Sequence, residues 1–291
     1  MGVKYALFIG CTIPVRAQHY ELSARRVASA LGIELIDIEE FACCGFPIKS
    51  VNTYVATVLA ARNIAIAEEA GLNICTLCNA CTGILTEVQK KLNEDEDLRK
   101  KVNKELEIFG KKYNKGVSIK HFSRILYENV GLSKIKEKIK VDLKKLRLAA
   151  HYGCHYLKPS EIYDGFDSPE APHTLDDLIS VTGAETIDYK TKLDCCGGAI
   201  LGIDENIALS MANKKLSELK KEYVDALVSI CPFCSIMYED NQRKIEAKFG
   251  VEYKLPVIYY PQLLGLALGF KPRELGFMLN RIKATQLIEK L

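Results

Sequence analysis

Ten of the eleven cysteines in this chain form one pattern written twice, and two matching series of thiols call for a fold that repeats itself. The first series is Cys11, the adjacent pair Cys43-Cys44, and Cys78-x-x-Cys81; the second is Cys154, Cys195-Cys196, and Cys231-x-x-Cys234. In each, a lone cysteine precedes a Cys-Cys-Gly turn and a C-x-x-C closes the set. Thiols grouped this densely, in a chain whose start does not read as an export signal, point to iron or zinc. Cys75, the eleventh, creates C-T-L-C-N-A-C, so two C-x-x-C readings compete. The second series decides between them. Cys196 to Cys231 spans 35 positions, Cys44 to Cys78 spans 34, and Cys44 to Cys75 only 31. Cys78 and Cys81 are therefore the matching pair, and Cys75 reads as a buried strand thiol.

A chain of 291 residues has room for two domains. We place the first cysteine-rich domain at 1–145 and the second at 146–291. With 48% hydrophobic and 26% charged residues the composition is that of an ordinary globular protein. A net charge of +3 and the lack of an aromatic-basic stripe argue against a nucleic-acid partner. The longest apolar stretch, Leu255 to Phe270, is broken by Pro256, Pro261 and Gln262 and is too short to span a bilayer, so no direct membrane insertion is expected. The opening residues read as a first strand rather than a signal, which makes the expected location cytoplasmic and structural disulfides unexpected.

Short apolar runs bounded by turn residues alternate with helical patterns in the same order in both copies. In the first, Tyr5–Ile9 is a strand, Glu21–Leu31 a helix, Ile33–Ile38 a strand, Thr53–Ala70 a helix and Leu72–Thr76 a strand. Helix follows over Ile84–Leu92, then a strand-to-helix step from Gly116. In the second, strands are expected at Leu146–Tyr152, Ala184–Tyr189, Ala226–Ile230 and Val257–Tyr260. Helices are expected at Thr174–Val181 and Glu205–Tyr223. This is an α/β fold of two pseudo-repeated domains, each a small parallel sheet flanked by helices. The cysteines fall at the strands' carboxyl ends, where open α/β sheets keep their sites. The charged stretches Lys90–Lys115 and Lys134–Lys145 have helical spacing and read as solvated helices linking the halves.

Three chemistries compete for the thiols. Zinc takes four ligands, and five per copy with an adjacent pair fits it poorly. Cys231-Pro-Phe-Cys234, after a strand and opening a helix, has the form of a dithiol redox motif, but that leaves Cys154, Cys195 and Cys196 unexplained. An iron-sulfur cluster in each half uses thiolates throughout, and a fifth thiolate suggests a shape other than the ordinary cubane. Gly45, Gly197 and Gly198 would let backbone approach sulfide closely.

The doubled spacing resembles the paired CCG repeats of the heterodisulfide reductase B-subunit family. The likeness extends to Ala61-Arg-Asn-Ile-Ala-Ile-Ala-Glu-Glu, Cys78-Asn-Ala-Cys81, His151-Tyr-Gly-Cys-His-Tyr-Leu-Lys-Pro-Ser, Cys231-Pro-Phe-Cys234 and Gln262-Leu-Leu-Gly-Leu-Ala-Leu-Gly, so that it covers essentially the whole chain. The resemblance implies two noncubane [4Fe-4S] clusters. One would be held by Cys11, Cys43, Cys44, Cys78 and Cys81, the other by Cys154, Cys195, Cys196, Cys231 and Cys234. It implies reduction of the mixed disulfide of coenzyme M and coenzyme B between the clusters, one electron from each. It also implies two partners within a heterodisulfide reductase, an iron-sulfur protein (its C component) and a flavin and iron-sulfur protein (its A component), in assemblies that include a hydrogenase or formate dehydrogenase.

His155 and Lys158 flank a predicted ligand and are the candidate proton donor and anion-pairing residues, since the expected substrate carries a sulfonate and a phosphate. Arg16, after Cys11, is a weaker candidate of the same kind. His19, His121, His151 and His173 read as structural. Two loops depart from the family: Phe46-Pro-Ile-Lys-Ser is shorter than expected, and Ala199-Ile-Leu-Gly-Ile replaces a glycine-rich segment with an arginine. These loops should border the cleft, which leaves open a paralogue acting on another disulfide or thiol. An electron-transfer component of a larger oxidoreductase is the alternative from another class, and a zinc-stabilised assembly protein the third.

Overall fold

The computed structural model describes residues 2–291. Two four-stranded parallel sheets carry the chain. The first holds β1 (Val3–Phe8), β2 (Ile33–Asp37), β3 (Asn73–Thr76) and β4 (Ile119–His121) in the order β2-β1-β3-β4. The second holds β5 (Arg147–His151), β6 (Glu185–Ile187), β7 (Ala226–Ser229) and β8 (Val257–Tyr259) in the order β6-β5-β7-β8. The two orders are one permutation, and the register repeats as well: Leu7 lies beside Cys75 as Ala150 lies beside Val228. The chain thus adopts the predicted α/β architecture with its internal repeat.

Parallel neighbours need crossover connections, and helices supply them. Helix Thr53–Glu69 and helix Glu205–Lys221 each follow a Cys-Cys-Gly turn and are capped alike. Asn52 Oδ1 accepts from the Val55 N–H at 3.0 Å, and Asp204 Oδ1 from the Ile207 N–H at 3.0 Å. A cap of this kind contributes about 1 kcal/mol. The first of these helices buries Ala56, Ala60, Ala61, Ala65 and Ala67, small side chains that let it lie close against the turn before it.

Alternate strand residues feed two apolar cores, and each core runs through both sheets. Tyr5, Leu7 and Cys75 share one with Leu148, Ala150 and Val228; Ala6, Phe8 and Ile74 share the other with Ala149 and Leu227. Helix Gln18–Ala30 of the first half packs on helix Tyr260–Ala267 of the second. There the rings of Tyr20 and Tyr259 stack at 4.0 Å, and the Tyr20 hydroxyl donates to the Ile230 carbonyl at 3.1 Å.

The two charged stretches differ from expectation. Helix Glu96–Leu106 buries Val102 and Leu106 and packs on helices Thr53–Glu69 and Asn79–Glu94, so it is a layer of the first half rather than a link. The helix predicted over 134–145 is only Leu132–Lys138. Beyond it the Lys140 and Val141 N–H groups donate to the Ala267 carbonyl at 2.8 and 3.0 Å, and Leu143 is buried. A tertiary acceptor and an apolar anchor outcompete another helical turn. Among the described residues no helix is long and apolar enough to cross a membrane.

Candidate metal centre

Each cysteine series is built by the same local devices. Cys11 and Cys154 follow β1 and β5 through Gly10 (φ +65°) and Gly153 (φ +71°). A Cβ on Gly10 would stand 3.0 Å from Cys81 Sγ, and one on Gly153 would stand 3.3 Å from Cys234 Sγ, so the turn brings each lone cysteine over the end of its own C-x-x-C. Cys78 and Cys231 cap the helices that follow β3 and β7. The Gly45 N–H points at Cys43 Sγ (3.5 Å), the Gly197 N–H at Cys195 Sγ (3.4 Å) and the Gly198 N–H at Cys196 Sγ (3.3 Å). Such donors favour thiolate over thiol.

Exposure grades identically in the two sets. Cys11 and Cys154 are exposed, Cys43 and Cys195 half-buried, and the remaining three of each set buried. No cysteine is in a disulfide. Cys75, by contrast, points from β3 into the core that excludes the other thiols, and burial alone pushes its thiol well above the usual range.

The two sets meet. Interacting thiols run in one series from Cys43 through Cys44, Cys81 and Cys78, across to Cys231, and on through Cys234, Cys196 and Cys195 to Cys154. Cys11 adds its charge beside Cys43. At the crossing point Cys78 and Cys231 act electrostatically on each other from opposite halves. Asn79 Nδ2 reaches the Tyr152 carbonyl at 2.7 Å in the same seam. Protons distribute unevenly along the series. Neighbouring thiols hold three members of the series low: Cys81 and Cys43 act on Cys44, Cys234 and Cys78 on Cys231, and Cys154 and Cys196 on Cys195. The flanking Cys78, Cys81, Cys154 and Cys234 are raised, and Cys196 is pushed up to about 12 by the neighbouring Cys195.

A tetrahedral zinc would draw four sulfurs to within ~3.8 Å of one another. Five free thiols in each set, two of them adjacent in sequence, exceed the ligand count of one such ion. An extended, all-sulfur donor set with glycine turns and N–H donors at the sulfurs fits an iron-sulfur cluster. A small cavity opens among Cys11, Cys44, Cys78 and Cys81 and is closed on its far side by Pro232 and Phe233 of the second half.

The other sequence candidates are placed unequally. His155 is half-buried in the seam, its ring edge-on to Phe46 at 4.9 Å and beside Gly83. Burial holds its imidazole below the usual histidine range, with the Cys231 charge pulling the other way. Lys158 is exposed. Arg16 is engaged: its guanidinium donates to Asp240 Oδ2 at 3.3 Å, which ties the first half to the second. His121 is structural, accepting from the Ser123 N–H at Nδ1 and meeting the Ile230 carbonyl at Nε2. His173 pairs with Asp177 at the surface. His151 is not a bland core residue, because its Nδ1 lies 3.2 Å from the ammonium of a fully buried Lys215. That lysine is absent from the sequence candidates, although it is legible as a charge in the buried stripe Ala208, Leu209, Ala212, Lys215, Leu216, Leu219.

A cysteine-rich domain, CCG, matches residues 5–86 and again 148–239. The B subunit of a ferredoxin/F(420)H(2)-dependent CoB-CoM heterodisulfide reductase from Methanosarcina acetivorans is 35% identical over 99% of this chain and 97% of its own length. A protein of Archaeoglobus profundus described as similar to the heterodisulfide reductase B subunit is 35% identical over 94% of this chain and 93% of its own. An 8-methylmenaquinol:fumarate reductase membrane anchor subunit of Wolinella succinogenes is 31% identical over 99% of this chain and all of its own. A crystal structure of a hypothetical protein from Helicobacter pylori superposes with a TM-score of 0.76 at 16% identity, covering 96% of this chain and 52% of that one, which is a likeness of fold alone.

Proposed function

This chain belongs to the cysteine-rich CCG-domain family that includes the heterodisulfide reductase B subunit, and from that premise we propose that it is the disulfide-reducing component of a multi-subunit oxidoreductase. Its substrate is the coenzyme M–coenzyme B disulfide, and the products are the two free thiols. Cys11, Cys43, Cys44, Cys78 and Cys81 would hold one noncubane [4Fe-4S] cluster; Cys154, Cys195, Cys196, Cys231 and Cys234 would hold the other. The observation that carries this reading is the seam itself: Asn79 of the first C-x-x-C donates to the Tyr152 carbonyl at 2.7 Å, and the cavity among Cys11, Cys44, Cys78 and Cys81 is walled by Pro232 and Phe233 of the second C-x-x-C, so the two five-thiol sets face one junction.

Cleaving the disulfide takes two electrons and two protons: one S–S bond breaks and two S–H bonds form. The clusters would supply the electrons singly, one each, delivered to them in the cytoplasm by the iron-sulfur and flavin partners of such a complex. The chain's own residues do the rest. Pro232, Phe233 and Phe46 wall the cavity beside the first set and shape the space in which a disulfide would be oriented. His155, held in the same seam by Phe46, offers an N–H to a sulfur leaving as thiolate. The exposed Lys158 presents a cation to a sulfonate or phosphate.

The full-length relative in a fumarate reductase favours a second reading, an electron-transfer component with no disulfide chemistry of its own. Anaerobic incubation of the purified protein with the coenzyme M–coenzyme B disulfide and an artificial one-electron donor separates the two. Thiol release supports the reductase; no turnover with iron and sulfide intact moves the assignment to electron transfer or to a paralogue with another disulfide.

A further inference from the structure

We propose that Lys215 is a built-in cation that raises the reduction potential of the centre held by the second cysteine set above that of the first. The inference rests on the reading of two iron-sulfur centres and asks how they differ.

Lys215 is 0% exposed. Its Nζ donates to the Lys192 carbonyl at 2.9 Å and to His151 Nδ1 at 3.2 Å, and lies over the rings of Tyr189 (5.3 Å) and Tyr238 (6.0 Å). None of these partners carries a negative charge. A buried ammonium without a counter-charge is strongly unfavourable. The acidic groups that act on it are Cys234, Asp194, Cys196 and Cys154, and the three cysteines are thiolates when they ligate a cluster. Asp194 is half in solvent and already bound to Lys214 at 2.6 Å. The counter-charge the site is built for is therefore the second cysteine set. Burial lowers the Lys215 ammonium to about 8, which leaves it charged at neutral pH.

Two further donors converge on the same place. Because His151 Nδ1 accepts from Lys215, its proton sits on Nε2, and Nε2 is buried with no partner. The Tyr238 hydroxyl, whose ring packs edge-on to His151 at 5.0 Å, is also buried without a partner. The charges of Cys231 and Cys195 act on His151, and those of Cys196 and Cys234 on Tyr238. One cation and two unspent donors suit sulfur that carries excess electron density.

The first half has none of this. The eleventh residue of helix Thr53–Glu69 is Asn63, where helix Glu205–Lys221 has Lys215. Asn63 is neutral and satisfied, accepting from the Ala42 N–H at 2.9 Å and donating to the Cys43 and Leu59 carbonyls. Phe8, beside Thr76, occupies the register position of His151 beside Ser229. Leu85, seven residues after Cys78, stands where Tyr238 stands after Cys231. Lys49 is the ammonium of the first Cys-Cys-Gly loop, and Glu87 neutralises it at 2.5 Å. Each one-electron reduction adds negative charge, which a buried cation stabilises. The second centre is then the easier to reduce and fills first.

Full-length protein purified without oxygen is assayed for iron and acid-labile sulfide, then titrated with dithionite and mediators while absorption and electron paramagnetic resonance follow each centre. The wild type should show two one-electron steps. Lys215→Met and Lys215→Gln should keep their iron and lower the upper step by at least tenfold in the ratio of reduced to oxidised centre, which is 59 mV. The lower step should stay, and Lys215→Arg should keep both. An unmoved upper step, movement of the lower step instead, or loss of iron from both charge-removing variants overturns the proposal. Wild-type protein with no iron and sulfide refutes the cluster reading itself, a result seen before any titration.

Discussion

The glycine of each Cys-Cys-Gly turn should tolerate no side chain, and the two halves provide the same test twice. Gly45 has φ +90° and Gly197 has φ +81°. A Cβ on Gly45 would lie 2.7 Å from the Ala56 carbonyl oxygen and 3.1 Å from its Cα; on Gly197 it would lie 2.9 and 3.0 Å from the same atoms of Ala208. Both obstacles are helix backbone and cannot rotate away. The left-handed conformation costs an L-residue about 1–2 kcal/mol. Forcing a methyl into packed atoms costs about 1–3 kcal/mol more. Gly250 is the control: its φ is +63° and nothing lies within 4 Å of its Cβ position, so Gly250→Ala carries the conformational cost alone. Gly45→Ala and Gly197→Ala should therefore be less stable than Gly250→Ala by about 1–3 kcal/mol. In a chain of this size that is roughly 2–5 °C in Tm. Thermal melts followed by circular dichroism, with iron content on the same samples, measure it. If Gly45→Ala melts with Gly250→Ala, the contact with Ala56 plays no part and the close approach of helix to turn is not what requires glycine.

Cys196→Ala should lose the iron of its own half while Cys75→Ala keeps the wild-type content; iron stripped by Cys75→Ala would show that the first ligand set is misassigned. Glu239 is buried under Asn280 and Arg281, and burial pushes its carboxyl up to about 7. Below about pH 4.5 both native and unfolded chains keep this proton, so it contributes nothing. As pH rises towards 7 the unfolded chain releases it first, and the native state is destabilised by up to ~3 kcal/mol. Glu239→Gln, which can still accept from Asn280 Nδ2 and the Arg281 N–H, should stabilise the protein by about that amount at pH 8 and by little at pH 5. Urea unfolding at the two pH values checks it, and an equal gain at both refutes the linkage.

What the sequence reveals here follows the range of the interactions. Strand and helix patterns are local, and β1 to β8 lie where apolar runs and turn residues place them. The helix after Cys78 begins at Asn79, earlier than the apolar spacing from Ile84 suggests, because the C-x-x-C itself forms its first turn. The run after Lys138 leaves the helix because Ala267, far away in sequence, takes its N–H groups. Arg16 looked available for a ligand until the fold brought Asp240 to it. The interleaved cores and the seam between the cysteine sets are contacts between halves, to which periodicity within one half is blind. Lys215 is the instructive case. Its position in an apolar stripe is a local signal, but its meaning needs the pseudo-equivalent Asn63 and the burial of both.

The turn of Cys78 faces the turn of Cys231, which is its own counterpart in the repeat. A residue that meets its own copy marks a two-fold axis, as in an isologous homodimer. Two free-standing copies of one repeat could close the same interface, but the symmetry would impose identical surroundings on both sulfur nests. Covalent fusion lifts that constraint. Each nest can then be mutated without altering its twin, and a matched pair of electron holders can become an ordered one.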